Sequence, residues 1–497
     1  MRRLVLACLL LASTAHAQTL RIALREDPDI LDPTLARTYV GRIVFMGLCD
    51  KLFDINEKLE IVPQLATGYE WTDPTTLVLH LRQGVTFHDG EVFDAAAVKY
   101  TLDRHMTLQG SFRRTDLSAV DHVDVMDPAT VRITLKSPSA PFIAQLADRA
   151  GMIVAPKAAE AAGRDFGLRP VCTGPYKFVE RVAQDRIVLE RFAEYWNKSA
   201  VKLDRVVYQP ITDSSARLAA LQAGSIDLSE QVVAPDVDAV KRNPKLRLAI
   251  SDYLGYQGVT WNLANGPRSQ TPAGQDSRVR RAFELALDRD ALVQVVYNGL
   301  YTPNAQAVPA SSPFYAPGFA PVTRDVAAAR ALLKEAGVTL PVQVTLTTPN
   351  NPDIRQLAEV MQAMVGEAGF ELKINVMEFA ASLDAELRGD FQLYMLAWSG
   401  RVDADGNMSQ FFRTGGSENH SKYSSPEVDA LLDQARGITD VAARREIYAK
   451  MWPILHQDQP ITYLFTQKNI AGMSTRVTGF RPVPDGMIRL QGLALAP

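Results

Sequence analysis

Cysteine is scarce in this chain, three in 497 residues, and only Cys49 and Cys172 lie beyond the first few residues. Long apolar runs are missing as well: no segment after the N-terminus approaches the roughly 20 apolar residues needed to cross a bilayer, so no membrane span is expected. Charge of one sign is missing, since 53 Lys and Arg against 56 Asp and Glu leave a net charge of -3. With no basic run either, nucleic acid and anionic lipid are excluded as expected partners. Low-complexity stretches and solenoid-length repeats are absent. Chemistry-bearing patterns are absent too. There is no Gly-x-Ser-x-Gly elbow, no phosphate loop and no His-Glu-x-x-His, and His80, His88, His105, His122, His420 and His456 never fall at i,i+4 spacing. A secreted hydrolase is the chief reading of another class, and these absences weigh against it. No enzyme, cofactor or metal is expected.

The first residues supply an address. Arg2 and Arg3 precede the apolar run Leu4–Ala12, and Ala15-His16-Ala17 has the small-x-small form that signal peptidase accepts. The sequence therefore predicts a signal peptide over 1–17, cleavage after Ala17 and a periplasmic mature protein. Cys8 lies too early in the apolar run for a lipoprotein site. In an oxidising compartment Cys49 and Cys172 either form one disulfide or remain two buried thiols, and sequence alone does not report whether their Cα atoms approach.

Beyond the leader, strand-like and helix-like segments alternate over a length that exceeds one hydrophobic core, so an α/β protein of at least two domains is expected. Leu20–Leu24 reads as a strand and Pro33–Leu48 as a helix with Val40, Ile43, Val44 and Leu48 on its apolar side. Alternation at Thr76–Arg82 and Val131–Leu135, bounded by Asp73-Pro74 and Asp127-Pro128, predicts a small antiparallel subdomain. Asp213 or Ser214 caps a helix that stops at Gly224. Val342–Thr347 and Leu372–Met377 flank a helix near 355–366, a βαβ-like unit with parallel pairing. Helices near 426–436 and 442–456 and a strand at Thr462–Phe465 follow. No loose linker separates the halves.

Several blocks carry a resemblance: LHLRQGVTFHDG (79–90), FDAAAVKYTLDR (93–104), CTGPYKF (172–178), EYWNK (194–198), RLAALQAGSIDL (217–228), VRRAFELALDRDAL (279–292), AARALLKEAG (328–337) and KYSSPEVDALLDQA (422–435). In this order they resemble the family 5 extracellular solute-binding proteins, the dipeptide, oligopeptide and nickel receptors of ABC importers. Each block also has a plain physical reading as a turn, capped helix or strand, with His88 a structural histidine, so the blocks speak for fold and not for ligand.

The resemblance implies a two-lobed type II periplasmic binding fold with an extra subdomain in lobe I. Lobe I would comprise 18–256 with the subdomain at about 55–170, lobe II 257–467, and 468–497 would return to lobe I. It further implies a monomeric receptor that closes over a small solute, peptide or peptide-like, and delivers it to ABC importer permease subunits. A nickel-type metal chelate or an opine-like solute is the alternative. In peptide-binding members a Trp-x-Gly-Asp segment pairs with the ligand's ammonium group. Here Trp398-Ser399-Gly400 is followed by Arg401, which favours an acidic solute or else pairs with Asp403 or Asp405. Asp403 and Asp405 are also candidates for the amine. Arg149 matches a region where the nickel receptor has an anion-binding arginine, and its plainer reading is a solvated side chain. Tyr39, Tyr256 and Trp261 are candidates for aromatic cleft walls.

Overall fold

The computed structural model describes residues 18–497; the leader expected over 1–17 lies outside the described residues. Among these, three sheets organise the chain. The first is seven-stranded, in the order Leu246–Asp252, Lys468–Ser474, Leu228–Ser229, Thr19–Leu24, Arg205–Pro210, Arg186–Arg191 and Tyr176–Val182. Its centre, Thr19–Leu24, is parallel to both neighbours, and Leu20, Ile22, Ala23 and Leu24 are all fully buried. A strand covered on both faces has no use for polar alternation, which is why it reads as a nearly continuous apolar run.

Helix Tyr39–Leu48 packs on this sheet, and every residue after Tyr39 is buried. It starts six residues later than the sequence pattern suggests. The segment before it curls into a turn, with the Leu35 and Ala36 amides donating to the Asp32 carbonyl. The Thr38 hydroxyl then caps the helix by accepting from the Gly41 amide at 3.2 Å. That late start places Arg37, Thr38 and Tyr39 at the N-terminal end of the helix, with Thr38 buried and Arg37 and Tyr39 part-buried.

The second sheet is six-stranded, in the order Thr302–Pro303, Ile461–Thr466, Tyr256–Trp261, Leu393–Trp398, Val342–Pro349 and Phe370–Met377. Val342–Pro349 pairs in parallel with Phe370–Met377 across helix Pro352–Ala368. That helix buries Leu357, Ala358, Met361 and Val365 at helical spacing. The third sheet is antiparallel and four-stranded: Ala66–Asp73, Thr76–Leu81, Thr130–Leu135 and Val120–Asp127. Period-two burial of Leu77, Leu79, Val131 and Ile133 builds a core of its own with Phe87, Phe93 and helix Ala95–Thr107.

The chain passes between the first two sheets at Tyr253–Gly255 and again at Gln467. The crossings lie side by side, because the strands on either side of them pair antiparallel. Here only glycine fits: a Cβ on Gly255 would stand 1.7 Å from the Trp398 carbonyl oxygen. Gly400, bridged to Leu254, has φ of +79°.

Cys49, at the end of helix Tyr39–Leu48, is joined by a disulfide to Cys172, with the Cα atoms 4.9 Å apart and 123 residues between them in sequence. Both are buried. Closing so long a loop restricts the unfolded chain, so a Cys49→Ala/Cys172→Ala variant is expected to lose about 2–5 kcal/mol in chemical denaturation. A loss below about 1 kcal/mol would show that packing alone holds this loop.

Candidate functional site

The ends of strands from both sheets open onto one cavity with about 1360 Å³ of empty space, mouth included. Residues immediately after strand C-termini face ligand crevices in open α/β sheets, and that rule is followed here. Arg25 and Glu26 follow Thr19–Leu24, Asn351 and Asp353 follow Val342–Pro349, and Ser399 follows Leu393–Trp398. Thr38 and Tyr39 enter from the start of their helix, Leu383 and Glu386 from helix Phe379–Arg388, and Glu418 and His420 from the loop after helix Asp405–Phe412. The crossing contributes Tyr256, Gln257 and Gln467.

The wall's arginines are already matched by protein carboxylates. Arg25 Nε lies 3.7 Å from Glu230 and 4.0 Å from Glu26, and its guanidinium sits 4.7 Å above the Tyr39 ring. Arg37 lies 3.6 Å from Asp29 on its own lobe and 3.0 Å from Asp384 on the other. Several wall acids are less well served. Burial pushes Glu26 up to about 7 against the pull of Arg25, and burial brings Asp353 up to about 6. Among the described residues neither Asp353 nor Glu418 has a cationic side chain within salt-bridge distance. Glu386 lies 3.1 Å from His420 Nδ1. Burial alone would lower that imidazole, but Glu386 outweighs it and His420 is raised.

Of the residues singled out in the sequence, Tyr39, Tyr256 and Trp398 come together on the cavity wall. The Tyr39 hydroxyl donates to the Gly486 carbonyl at 3.0 Å. Tyr256 stands edge-on to Tyr463, centroids 4.6 Å apart, and Trp398 Nε1 donates to Asn407 at 2.9 Å. Trp261 does not belong with them. It is wholly buried against Phe283 and donates to Thr462. Five positions from Tyr256 on the same strand, it points to the opposite face of the sheet.

Arg401 is also elsewhere. It pairs across the lobes with Asp148 at 2.6 Å, and its guanidinium lies 4.4 Å from the centre of the Trp398 ring. The expected pairing with Asp403 or Asp405 is not what forms. Helix Val441–Asp458 brings Arg444 to Asp403 at 2.6 Å, and helix Pro426–Arg436 brings Arg436 to Asp405 at 2.7 Å. Asp403 is thereby committed and lies outside the large cavity. Arg149 is neither solvated nor at the wall: it is 2% exposed and donates to the Ala36 carbonyl at 2.7 Å.

These side chains form a buried cluster beside the cavity. Asp148 accepts from Arg42 at 3.1 Å and pairs with Arg401. Asp116 accepts from Arg113 at 3.0 Å and, from the other lobe, from Gln410 at 2.5 Å. Arg149 completes it, so four guanidinium groups face two carboxylates. Burial would raise Asp148, yet Arg401 and Arg42 hold it well below its ordinary value. Burial, reinforced by Arg113, depresses Arg149, and burial brings Arg401 down to about 10.

Two α/β lobes joined by paired strand crossings, with a small-molecule cavity walled by both, define a solute-binding protein of the ABC-importer type, built on the type II periplasmic binding fold with an extra subdomain. A model of the bacterial extracellular solute-binding proteins, family 5, matches residues 60–419, and the chain belongs to that family. Among its relatives, the glutathione-binding protein GsiB of Pectobacterium atrosepticum is 30% identical over 475 residues, covering 93% of this chain and 91% of that one. The binding protein AgaA of A. tumefaciens R10, solved with agropinic acid, superposes with a TM-score of 0.88 at 26% identity over 96% of this chain and 99% of that one. The Escherichia coli murein tripeptide binding protein MppA superposes with a TM-score of 0.90 at 23% identity over 97% and 99%. These relatives are binding proteins. No described helix is long and apolar enough to cross a membrane.

Sequence reasoning missed Arg25, Glu26, Arg37, Asp353, Glu386, Glu418 and His420. A signal existed for Glu26 and Asp353, which lie just past strands in the sequence pattern. For Glu386 and His420 there was none, since 34 positions separate them.

The cation surplus in the cluster ranks its members. Removing Arg401 also relieves repulsion from Arg42, Arg113 and Arg149, whereas neutralising Asp148 strands those cations. Asp148→Asn is expected to cost about 3–5 kcal/mol and Arg401→Gln less than about 2 kcal/mol in denaturant unfolding. The opposite order would refute the surplus.

Proposed function

We propose that this chain is a periplasmic, non-catalytic and monomeric receptor, cleaved after Ala17, that captures a small peptide-like solute carrying both an amine and a carboxylate and delivers it to the permease subunits of an ABC importer. One observation carries the reading: the cavity wall is drawn from both lobes, so a solute completes its contacts only when the lobes meet. A ligand shifts such an equilibrium only by its differential affinity for the two states, and divided contacts supply that difference. The crossings at 253–255 and 467 support a division into lobe I at 18–256, with an extra subdomain at about 55–170 and a return at 468–497, and lobe II at 257–467. Two adjacent strand crossings are the geometry of a hinge.

The solute class rests on the mixed charge of the wall, which carries Arg25 and Arg37 as well as the unmatched carboxylates of Asp353 and Glu418, and on its aromatic side chains. The relatives' ligands, glutathione, a murein tripeptide and agropinic acid, support an amino-acid conjugate. Arg401, held by Asp148, gives no support to a purely acidic solute.

Calorimetry with reduced glutathione, a tripeptide, agropinic acid and a nickel–histidine chelate tests this, together with solution scattering. A true solute at about 100 times its Kd should stabilise the protein by about 2.7 kcal/mol and reduce the radius of gyration. Binding by the nickel chelate alone would replace the reading with a metal-chelate receptor. No binding and no compaction with any of the four would reject it.

A further inference from the structure

Charge matching along the cavity wall is uneven. Arg25 is shared between Glu230 and Glu26, and Arg37 between Asp29 and Asp384, so the positive groups are neutralised before any solute arrives. On the lobe II side, Glu386 has only His420 as its charged partner, and Glu418 has no salt-bridge partner among the described residues. His420 is 5% exposed and Glu386 7%. The His420 ring is held by Glu386 at Nδ1, and its backbone by the Asn265 side chain, which donates to the His420 carbonyl at 2.9 Å. Its other nitrogen, Nε2, is buried and has no hydrogen-bond partner, while the residue lines the cavity. A buried polar nitrogen without a partner costs about 1–3 kcal/mol, which a partner on the solute would recover.

We propose that Glu386, His420 and Glu418 form the subsite for a primary ammonium group of the solute, with the two carboxylates and His420 Nε2 accepting its N–H bonds. This deepens the reading of the chain as a receptor for a peptide-like solute and rests on it. An ammonium group offers three donors and no acceptor, which suits three acceptors and excess negative charge. For Nε2 to accept, the ring proton must sit on Nδ1 and be donated to Glu386, the arrangement that the 3.1 Å contact fits. The charged groups facing His420 are Glu386 from helix Phe379–Arg388 and Glu418 and Lys422 from its own loop. The phenol of Tyr256 stands opposite, within the field of both glutamates. Their sum favours a proton on the free imidazole, in keeping with its raised pKa. An arriving ammonium takes that proton's place, so binding releases a proton to solvent.

The test uses trialanine and reduced glutathione, each beside its N-acetylated form, in calorimetry at about pH 6.5, where a free α-amino group is protonated. Repeating the titration in buffers of different ionisation enthalpy counts the protons. The subsite requires that acetylation weaken binding roughly tenfold to a hundredfold. It requires that binding release protons, and that His420→Gln abolish the release. Glu418→Gln should weaken the free amine roughly tenfold and leave the acetylated form unchanged. Equal binding of acetylated and free forms, or proton uptake on binding, overturns the subsite while the receptor reading stands. Failure of all four compounds to bind overturns the peptide-like reading and the subsite with it.

Discussion

Everything in this molecule that concerns a solute depends on how two bodies are held across a gap by two neighbouring strands. Among the described residues the backbone passes between the large sheets only at 253–255 and 467, and the packing there admits no side chain at Gly255. So narrow a connection leaves the relative position of the lobes to side-chain contacts. One apolar cluster runs through both lobes, from Val232, Ala234 and Val237 to Val293, Val296 and Phe465, and the lobes also meet through ionic and polar contacts: Arg37 with Asp384, Arg42 with Ser399, Arg401 with Asp148, Gln410 with Asp116. The apolar contact is costly to part. The polar ones exchange their partners for water at a small net difference, so a ligand of modest affinity can tune them.

The same economy explains why Arg401 is committed to a carboxylate of the other lobe. At 4 Å two unit charges interact by about 4 kcal/mol at an effective dielectric of about 20. Arg401 gains an attraction of that order from Asp148 but is opposed by the like charges of Arg42 and Arg113. With four cations on two carboxylates, repulsion within the cluster offsets part of that attraction. Arg401 is therefore held in a contact that is specific in geometry and modest in energy, with its guanidinium over the ring of the cavity residue Trp398.

Local signals were legible wherever neighbours in sequence decide the outcome. The buried strand Thr19–Leu24, the helix capped by Asp213 and ended by left-handed Gly224, and the parallel pair around helix Pro352–Ala368 follow from periodicity and caps. Tyr39 and Tyr256, expected as aromatic walls, and Trp398, which the Trp-x-Gly-Asp resemblance pointed to, all line the cavity. Trp261 was misplaced by ignoring parity, since an odd separation from Tyr256 on one strand reverses its face. The start of helix Tyr39–Leu48 was misjudged because Pro33 is a good first residue for a helix, whereas the turn at Asp32 delays it to the Thr38 cap. Partner choice was out of reach: whether Asp403 meets Arg401 or Arg444 is settled by where helix Val441–Asp458 docks, a contact over 41 residues.

Those long-range placements decide what the cavity can select. On the lobe I side, arginines with their charge already spent on Glu230 and Asp29 offer directional N–H groups without a strong field. On the lobe II side, carboxylates with little compensation offer a field and few donors. A solute with an anionic end and a cationic end is then oriented by the asymmetry of the two walls, and reversing it would bring its anion against Glu418 and Glu386. Aromatic rings between the poles supply contact area with little rotamer entropy to lose, which tolerates variation in the solute's middle. Selection by the charged ends with tolerance between them is the consequence of dividing the charges unequally between two lobes.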